Sequence, residues 1–157
     1  MTAIRRGIRL GVDVGTARVG VARSDPDGLL AVPVETVPRT DQAVARIVDL
    51  ARDYDAFEIV VGLPTNLRGE DTASTRDARS FAAAVAAAGE LPVRLVDERL
   101  STVTAHDALR ASGRSQRRSR SMVDQVAAVV LLQQALDVEK RSGNPAGEAV
   151  NPGQESA

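Results

Sequence analysis

Residues 9–25 read R-L-G-V-D-V-G-T-A-R-V-G-V-A-R-S-D. Two runs rich in β-branched residues, Ile8 to Val14 and Arg18 to Arg23, flank Gly15-Thr16-Ala17. That pattern predicts two antiparallel strands joined by a tight turn. Asp13 lies late in the first run, among valines, where an ionised carboxylate is costly unless something pairs with it. Three partners suit it: a metal ion, the surroundings of a nucleotide phosphate, or the backbone amides of the turn that follows.

Working outward, Leu29 to Val37 predicts a third strand after the Asp25-Pro26-Asp27-Gly28 turn. Pro33 cannot donate a ladder hydrogen bond, which assigns this strand to a sheet edge. Thr40 can cap a helix running to about Tyr54, with Val44, Ile47 and Val48 on one face. Glu58 to Gly62 is a short apolar strand stopped by Leu63-Pro64. An alanine-rich helix follows from about Thr72 to Ala88, with Gly89 as its C-terminal cap. Val93 to Asp97 is a fifth strand, Ser101 to Gly113 a helix, and about Ser121 to Lys140 a last helix. Antiparallel strands come first and crossover strands second, so the fold class is α/β, a mixed sheet with helices on its faces. Five of the seventeen residues from Arg141 onward are Gly or Pro, so residues 141–157 are expected to be a disordered tail on a single domain of residues 1–140.

Three acids stand out by position. Asp13 lies in the first strand, Glu98 follows the fifth in V-R-L-V-D-E-R-L-S-T, and Asp124 stands in S-M-V-D-Q-V-A-A-V-V-L-L. Ligands of open α/β sheets gather outside the carboxyl ends of strands, where Glu98 falls. Asp97 alternates to the other face, which favours Glu98. Asp124 heads a stripe of Ala127, Ala128, Leu131 and Ala135 at helical spacing, small enough to lie close against a sheet. Each acid also has a plain structural reading. Asp13 could bond the turn amides, Glu98 could pair with Arg94 or Arg99, and Ser121-x-x-Asp124 fits a capping box. If the three converge, their hard oxygens suit Mg²⁺ or Mn²⁺, in a site typical of phosphoryl transfer.

Charge distribution points the same way. From Ala108 to Val123 there is no acid, and Arg110, Arg114, Arg117, Arg118 and Arg120 supply five positive charges. The remaining fifteen basic residues face twenty-one acids. A local anion-binding stretch on an acidic body suggests a nucleic-acid backbone as partner. Lys140 is the only lysine, so arginine bias in the genome is the competing explanation. With one Tyr, two Phe and no Trp, contacts should run through phosphate and shape rather than base stacking. There is no cysteine, hence no disulfide, thiolate ligand or cysteine nucleophile. His106, the single histidine, has no neighbouring nucleophile and reads as structural, and neither a G-x-S-x-G elbow nor a Walker loop is present. No apolar run is long enough for a membrane span or follows the N-terminal arginines as a secretory signal would, so the chain is expected in the cytoplasm.

Together, G-V-D-V-G-T-A-R-V-G-V-A, V-V-G-L-P-T-N-L-R-G, V-D-E-R-L-S-T and D-Q-V-A-A-V-V-L-L-Q resemble the YqgF/RuvX-like proteins, from about Arg9 to Leu136. These are bacterial RNase H-like nucleases, described as Holliday-junction resolvases and as processors of the small-subunit ribosomal RNA precursor. The resemblance implies an RNase H-like fold with a five-stranded sheet in the order 3-2-1-4-5. It places the family's acidic positions, catalytic and metal-binding alike, on Asp13, Glu98 and Asp124. Mg²⁺ or Mn²⁺ would be the cofactor, as one or two ions, since many RNase H-like enzymes carry four acids and three are matched here. Arg117, Arg118 and Arg120 match the basic residues ahead of the last acid. Leu67-Arg68 departs from the polar pair that relatives often carry in the G-L-P-x-N loop.

The leading expectation is a metal-dependent endonuclease that processes the 5′ end of precursor 16S ribosomal RNA, with Arg114, Arg117, Arg118, Arg120 and Asn66 holding the backbone. A resolvase acting on four-way DNA junctions is second, and symmetric cleavage would need a homodimer rather than a monomer. A non-catalytic nucleic-acid-binding module is the rival from another class. An actin-like or sugar-kinase-like ATP site also uses D-x-G-T, but binds nucleotide between two such domains, of which this chain supplies one.

Overall fold

The computed structural model describes residues 4–66, 68–97 and 116–150, with side chains in the last stretch from residue 123 onward. Its strands are β1 (Arg9–Val14), β2 (Arg18–Ser24), β3 (Ala31–Pro38), β4 (Glu58–Leu63), β5 (Val93–Asp97) and the short β6 (Glu148–Ala149). Its helices are α1 (Ala43–Asp53), α2 (Ala73–Gly89) and α3 (Gln116–Ser142). One sheet runs in the order β3-β2-β1-β4-β5-β6. The first three strands pair antiparallel, whereas β4 joins β1, and β5 joins β4, in parallel. The expected order 3-2-1-4-5 is present, with a sixth strand added. As Pro33 requires, β3 is an edge strand, and its ladder with β2 shifts register between Val21 and Ala22, the latter opposite Pro33.

Strand alternation divides the core between the two faces. Leu10, Val12, Val19, Val21, Ile59, Val61, Val93 and Leu95 pack with Ile47 and Val48 of α1 and Phe81, Ala82 and Val85 of α2. On the opposite face Ala22 and Val60 meet Ala128, Leu131, Leu132 and Ala135 of α3. The central strands β1 and β4 are covered on both faces, so they read as nearly continuous apolar runs.

Local differences from expectation have physical causes. Thr40 does not cap α1: its hydroxyl accepts from the Gln42 amide in a turn, and the cap position falls to Gln42 without a side-chain bond. Thr72 does cap α2, in a reciprocal box with Thr75. The left-handed residue that ends α2 is Glu90, not Gly89. Gly89 instead abuts Val48 of α1, where a Cβ would lie 3.3 Å from the valine methyl.

The last helix is longer than expected. It begins at Gln116, so residues 116–120, read as a basic loop, are helical. No Gly or Pro intervenes between Gly113 and Gly143, and arginine is a good helix former, so Ser121 has nothing to interrupt. The expected disordered tail also gives way over residues 141–150. Gly143 and Gly147 adopt positive φ and turn the chain back, so that β6 pairs antiparallel with β5. Arg94 secures this return by donating to the carbonyls of Ala146 and Gly147 at 2.7 Å each. Residues rich in Gly and Pro here build turns rather than disorder. Residues 151–157, and the helix expected over Ser101 to Gly113, lie outside the described residues.

A buried ionic cluster ties the far end of α3 to the sheet. Arg9 is 1% exposed, and Glu58 and Glu139 are each 4% exposed. Arg5 grips both acids, at 2.9 Å to Glu58 and 2.7 Å to Glu139, and Arg9 reaches Glu139 at 3.1 Å. Both guanidinium groups also lie over the Phe57 ring, 5.1 and 4.7 Å from its centroid. Burial pushes Glu139 up, but the hydrogen bonds from Arg5 and the charge of Arg9 outweigh it and hold the carboxyl below its ordinary value.

Breaking such a pair leaves Arg9 buried without its counter-charge, so Glu139→Gln should cost on the order of 3 kcal/mol in chemical denaturation at neutral pH. Because the folded-state pKa is depressed, the stability gap should be complete above the ordinary glutamate value of 4.5 and shrink as pH falls through the lower folded value. A gap that stays constant into acid contradicts this assignment.

Candidate active site

Two glycines let α3 lie against the sheet. A Cβ on Gly11 would come 2.8 Å from the Leu132 Cβ and 3.0 Å from the Ala128 carbonyl oxygen. A Cβ on Gly20 would overlap the carbonyl of Asp124. Backbone therefore meets backbone at the spot where Asp124 leaves the helix.

Register then selects the second acid. Asp13 of β1 is the cross-strand partner of Gly20. It alternates with Leu10 and Val12, which face α1 and α2, so it shares the α3 side with Gly11. Asp13, beside Gly20 in the ladder, and Asp124, whose backbone lies over Gly20, thus come to one face of the sheet. Asp13 is partly buried, and the Asp124 side chain is 16% exposed. Asp124 is the ninth residue of α3, well past the first turn, so the capping-box reading is excluded by the helix start at Gln116. Its expected stripe is present: Ala127, Ala128, Leu131 and Ala135 are all buried.

Several bonds hold the turn beside Asp13. The Gly15 amide donates to the Arg18 carbonyl at 2.9 Å. Arg39 donates to the Gly15 carbonyl at 2.9 Å and forks onto both oxygens of Asp77 at 2.8 Å. Those bonds hold the Asp77 carboxyl below its usual value, and the same pairing raises Arg39. A bidentate ion pair over the Phe81 ring, 5.0 Å from Arg39, fixes the hairpin to α2.

The other expected residues divide. Val96, two positions before Glu98, packs on the α3 side of the sheet. Glu98, Arg114 and His106 lie outside the described residues. Arg117, Arg118 and Arg120 stand on the first turns of α3 rather than in a loop. Positions 117, 120 and 124 recur on one helix face by the 3.6-residue period. Asn66 is engaged within its own loop: its carbonyl oxygen accepts from the amides of Arg68 and Glu70, and its amide donates to Glu70 at 3.1 Å. It shapes the loop between β4 and α2 and stays exposed there.

Sequence reasoning missed Arg18, whose Nε donates to Asp124 Oδ2 at 2.7 Å. Strand alternation could have found it, since Arg18 stands two residues before Gly20 on the same face. Among the described residues no three acids or histidines cluster as a ready metal cage. Two carboxylates on one face form a donor pair of hard oxygens suited to a hard divalent cation.

A family model described as "RuvX: Holliday junction resolvase" matches residues 7–138. The chain belongs to the RuvX family. A relative in Clavibacter michiganensis subsp. michiganensis is 57% identical over 150 residues, covering 94% of this chain and 93% of its own. One in Streptomyces coelicolor is 52% identical, covering 94% and 90%. Both carry the name "Putative pre-16S rRNA nuclease". Among solved structures, Thermus thermophilus RuvC in complex with a Holliday junction substrate is similar with a TM-score of 0.55. It is 17% identical, and the match covers 88% of this chain and 99% of that one. At that identity the likeness shows a shared RNase H-like fold. No described helix of this RuvX-family chain is long and apolar enough to cross a membrane.

The close contact gives a direct test. A methyl group at position 20 would push Asp124 off the sheet, so Gly20→Ala should destabilise by the upper part of roughly 1–3 kcal/mol in a denaturant melt. A variant as stable as the wild type contradicts the backbone contact.

Proposed function

We propose that this RuvX-family chain is a divalent-metal-dependent endonuclease of the cytoplasm that processes the 5′ end of precursor 16S ribosomal RNA. The observation that carries the reading is the pair Asp13 and Asp124, brought to one face of the sheet across Gly20. The names of close relatives support RNA as the substrate.

Asp13 and Asp124, with Glu98 as the third acid, would hold Mg²⁺ or Mn²⁺. Held there, such an ion would supply positive charge at the reacting phosphate and a more acidic water. Asp13 sits on a strand covered from both sides, so its carboxylate has little freedom and offers a rigid anchor. Asp124 is set by helix–sheet contact rather than by a loop, which fixes its distance from Asp13. Positions 117 and 120 lie two turns and one turn before Asp124 on the same helix face, and Arg117 and Arg120 would hold backbone phosphates flanking the scissile bond, together with Arg114 and Arg118. Asn66 contributes by shaping its loop. The description of the family model favours a second reading, cleavage of four-way DNA junctions, which would require two copies of the chain for two symmetric cuts.

Purified protein should shorten precursor 16S ribosomal RNA in Mg²⁺ or Mn²⁺. Asp13→Asn and Asp124→Asn should each lose more than about 100-fold in rate, beyond what loss of an outer-shell group costs, while keeping the wild-type circular dichroism spectrum. Equal cleavage by wild type and Asp13→Asn overturns the proposal. Cleavage of the junction with no action on the RNA replaces it with the second reading.

A further inference from the structure

The two ends of the buried stripe of α3 each carry an acid met by arginine, and the two pairings differ in kind. Glu139 is held by Arg9, whose side chain is 2% exposed, and by Arg5, which also grips Glu58. The carboxylate they hold is 5% exposed, with two arginines on it and one of them buried, so a newcomer has no access to it. Asp124 is met by Arg18, whose side chain is 38% exposed, at the mouth of the candidate site. Arg18 opens β2 directly after the hairpin turn, on the same sheet face as Asp13.

A guanidinium and a divalent cation repel each other and compete for the charge of a single carboxylate. Mg²⁺ imposes its own near-octahedral geometry, and its double charge beside Asp124 weakens the hold of the arginine there. Arg18 is tethered to the hairpin, so its displaced head stays beside the site. Its planar fork then matches the next anion available there, a phosphodiester oxygen pair. We propose that Arg18 is a positioning residue that occupies Asp124 in the metal-free site and passes to the nucleic-acid backbone when a divalent cation replaces it. This couples metal loading to substrate grip. It rests on the nuclease reading above and adds the order in which the site is assembled.

The test uses the full chain and two binding readouts, neither of them activity. Free Mn²⁺ is followed by electron paramagnetic resonance without nucleic acid, in wild type, Arg18→Gln, Arg18→Lys and Asp13→Asn. Removing the competing charge should tighten Mn²⁺ binding in Arg18→Gln by about two- to fivefold, the range a half-exposed ion pair is worth. Arg18→Lys, which keeps the charge, should stay near wild type. A purely structural Arg18 predicts the opposite sign, because a slackened Asp124 binds the ion less well. The second readout is the salt dependence of binding to a four-way junction and to a precursor ribosomal RNA fragment. In Ca²⁺ the slope for Arg18→Gln should fall by about one relative to wild type, and in chelator the two slopes should coincide. Unchanged or weaker Mn²⁺ binding in a folded Arg18→Gln, or equal slopes in Ca²⁺, overturns the Arg18 assignment alone. Mn²⁺ that binds neither wild type nor any variant, or binds Asp13→Asn as well as wild type, overturns the metal reading beneath it.

Discussion

Everything at the candidate site depends on how closely α3 can lie on the sheet. Gly20 has no side chain to hold the helix off, and the carbonyl of Asp124 occupies the space a methyl group would need. Gly11 does the same one strand over, beneath Ala128 and Leu132. Because Gly20 pairs with Asp13 in the ladder, one contact sets the position of both acids. Helix–sheet packing usually stands off by the thickness of two side chains. Reducing it to backbone contact at this spot lets carboxylates from separate elements share one face.

The same helix is tied down at its other end by chemistry of the opposite character. Glu139, Glu58, Arg5 and Arg9 form a cluster of matched charges in which both acids and Arg9 are enclosed, with Phe57 stacked against the two arginines. That cluster fixes the rotation and depth of α3 at a point distant from the site. Asp124 can then sit in an incomplete charge environment without loosening the helix. A buried acid that serves the fold and a partly exposed acid available for chemistry are fifteen residues apart, about four helical turns, on one stripe.

Much of the fold was legible from short-range signals. β-Branched runs broken by Gly-Thr or Asp-Pro mark the first three strands, and Pro33 names the edge. The apolar stripe below Asp124 anticipates its helix on the sheet. What escaped were features set by distant contacts. Gly89 looks like a cap because glycine commonly is one, yet it is there to admit Val48. Residues 142–150 have the composition of disorder, but Arg94 in β5 gives the carbonyls of Ala146 and Gly147 a partner. Ser121 resembles a helix start because serine often is, while nothing upstream stops the helix before Gln116. At the site, Asp13 and Asp124 could be named from their positions in a strand and on a stripe. Alternation puts Arg18 on the same face, but its pairing with Asp124, 106 positions later in the chain, is a contact that only the fold reveals.

The central claim is that Asp13 and Asp124 together hold a divalent cation. Anomalous diffraction from crystals of the full chain soaked in Mn²⁺ tests it most directly. The account predicts a manganese peak within ligand distance of both carboxylates, with the Arg18 guanidinium withdrawn from Asp124. Manganese bound elsewhere, or a site that stays empty with Arg18 still on Asp124 at saturating Mn²⁺, contradicts it.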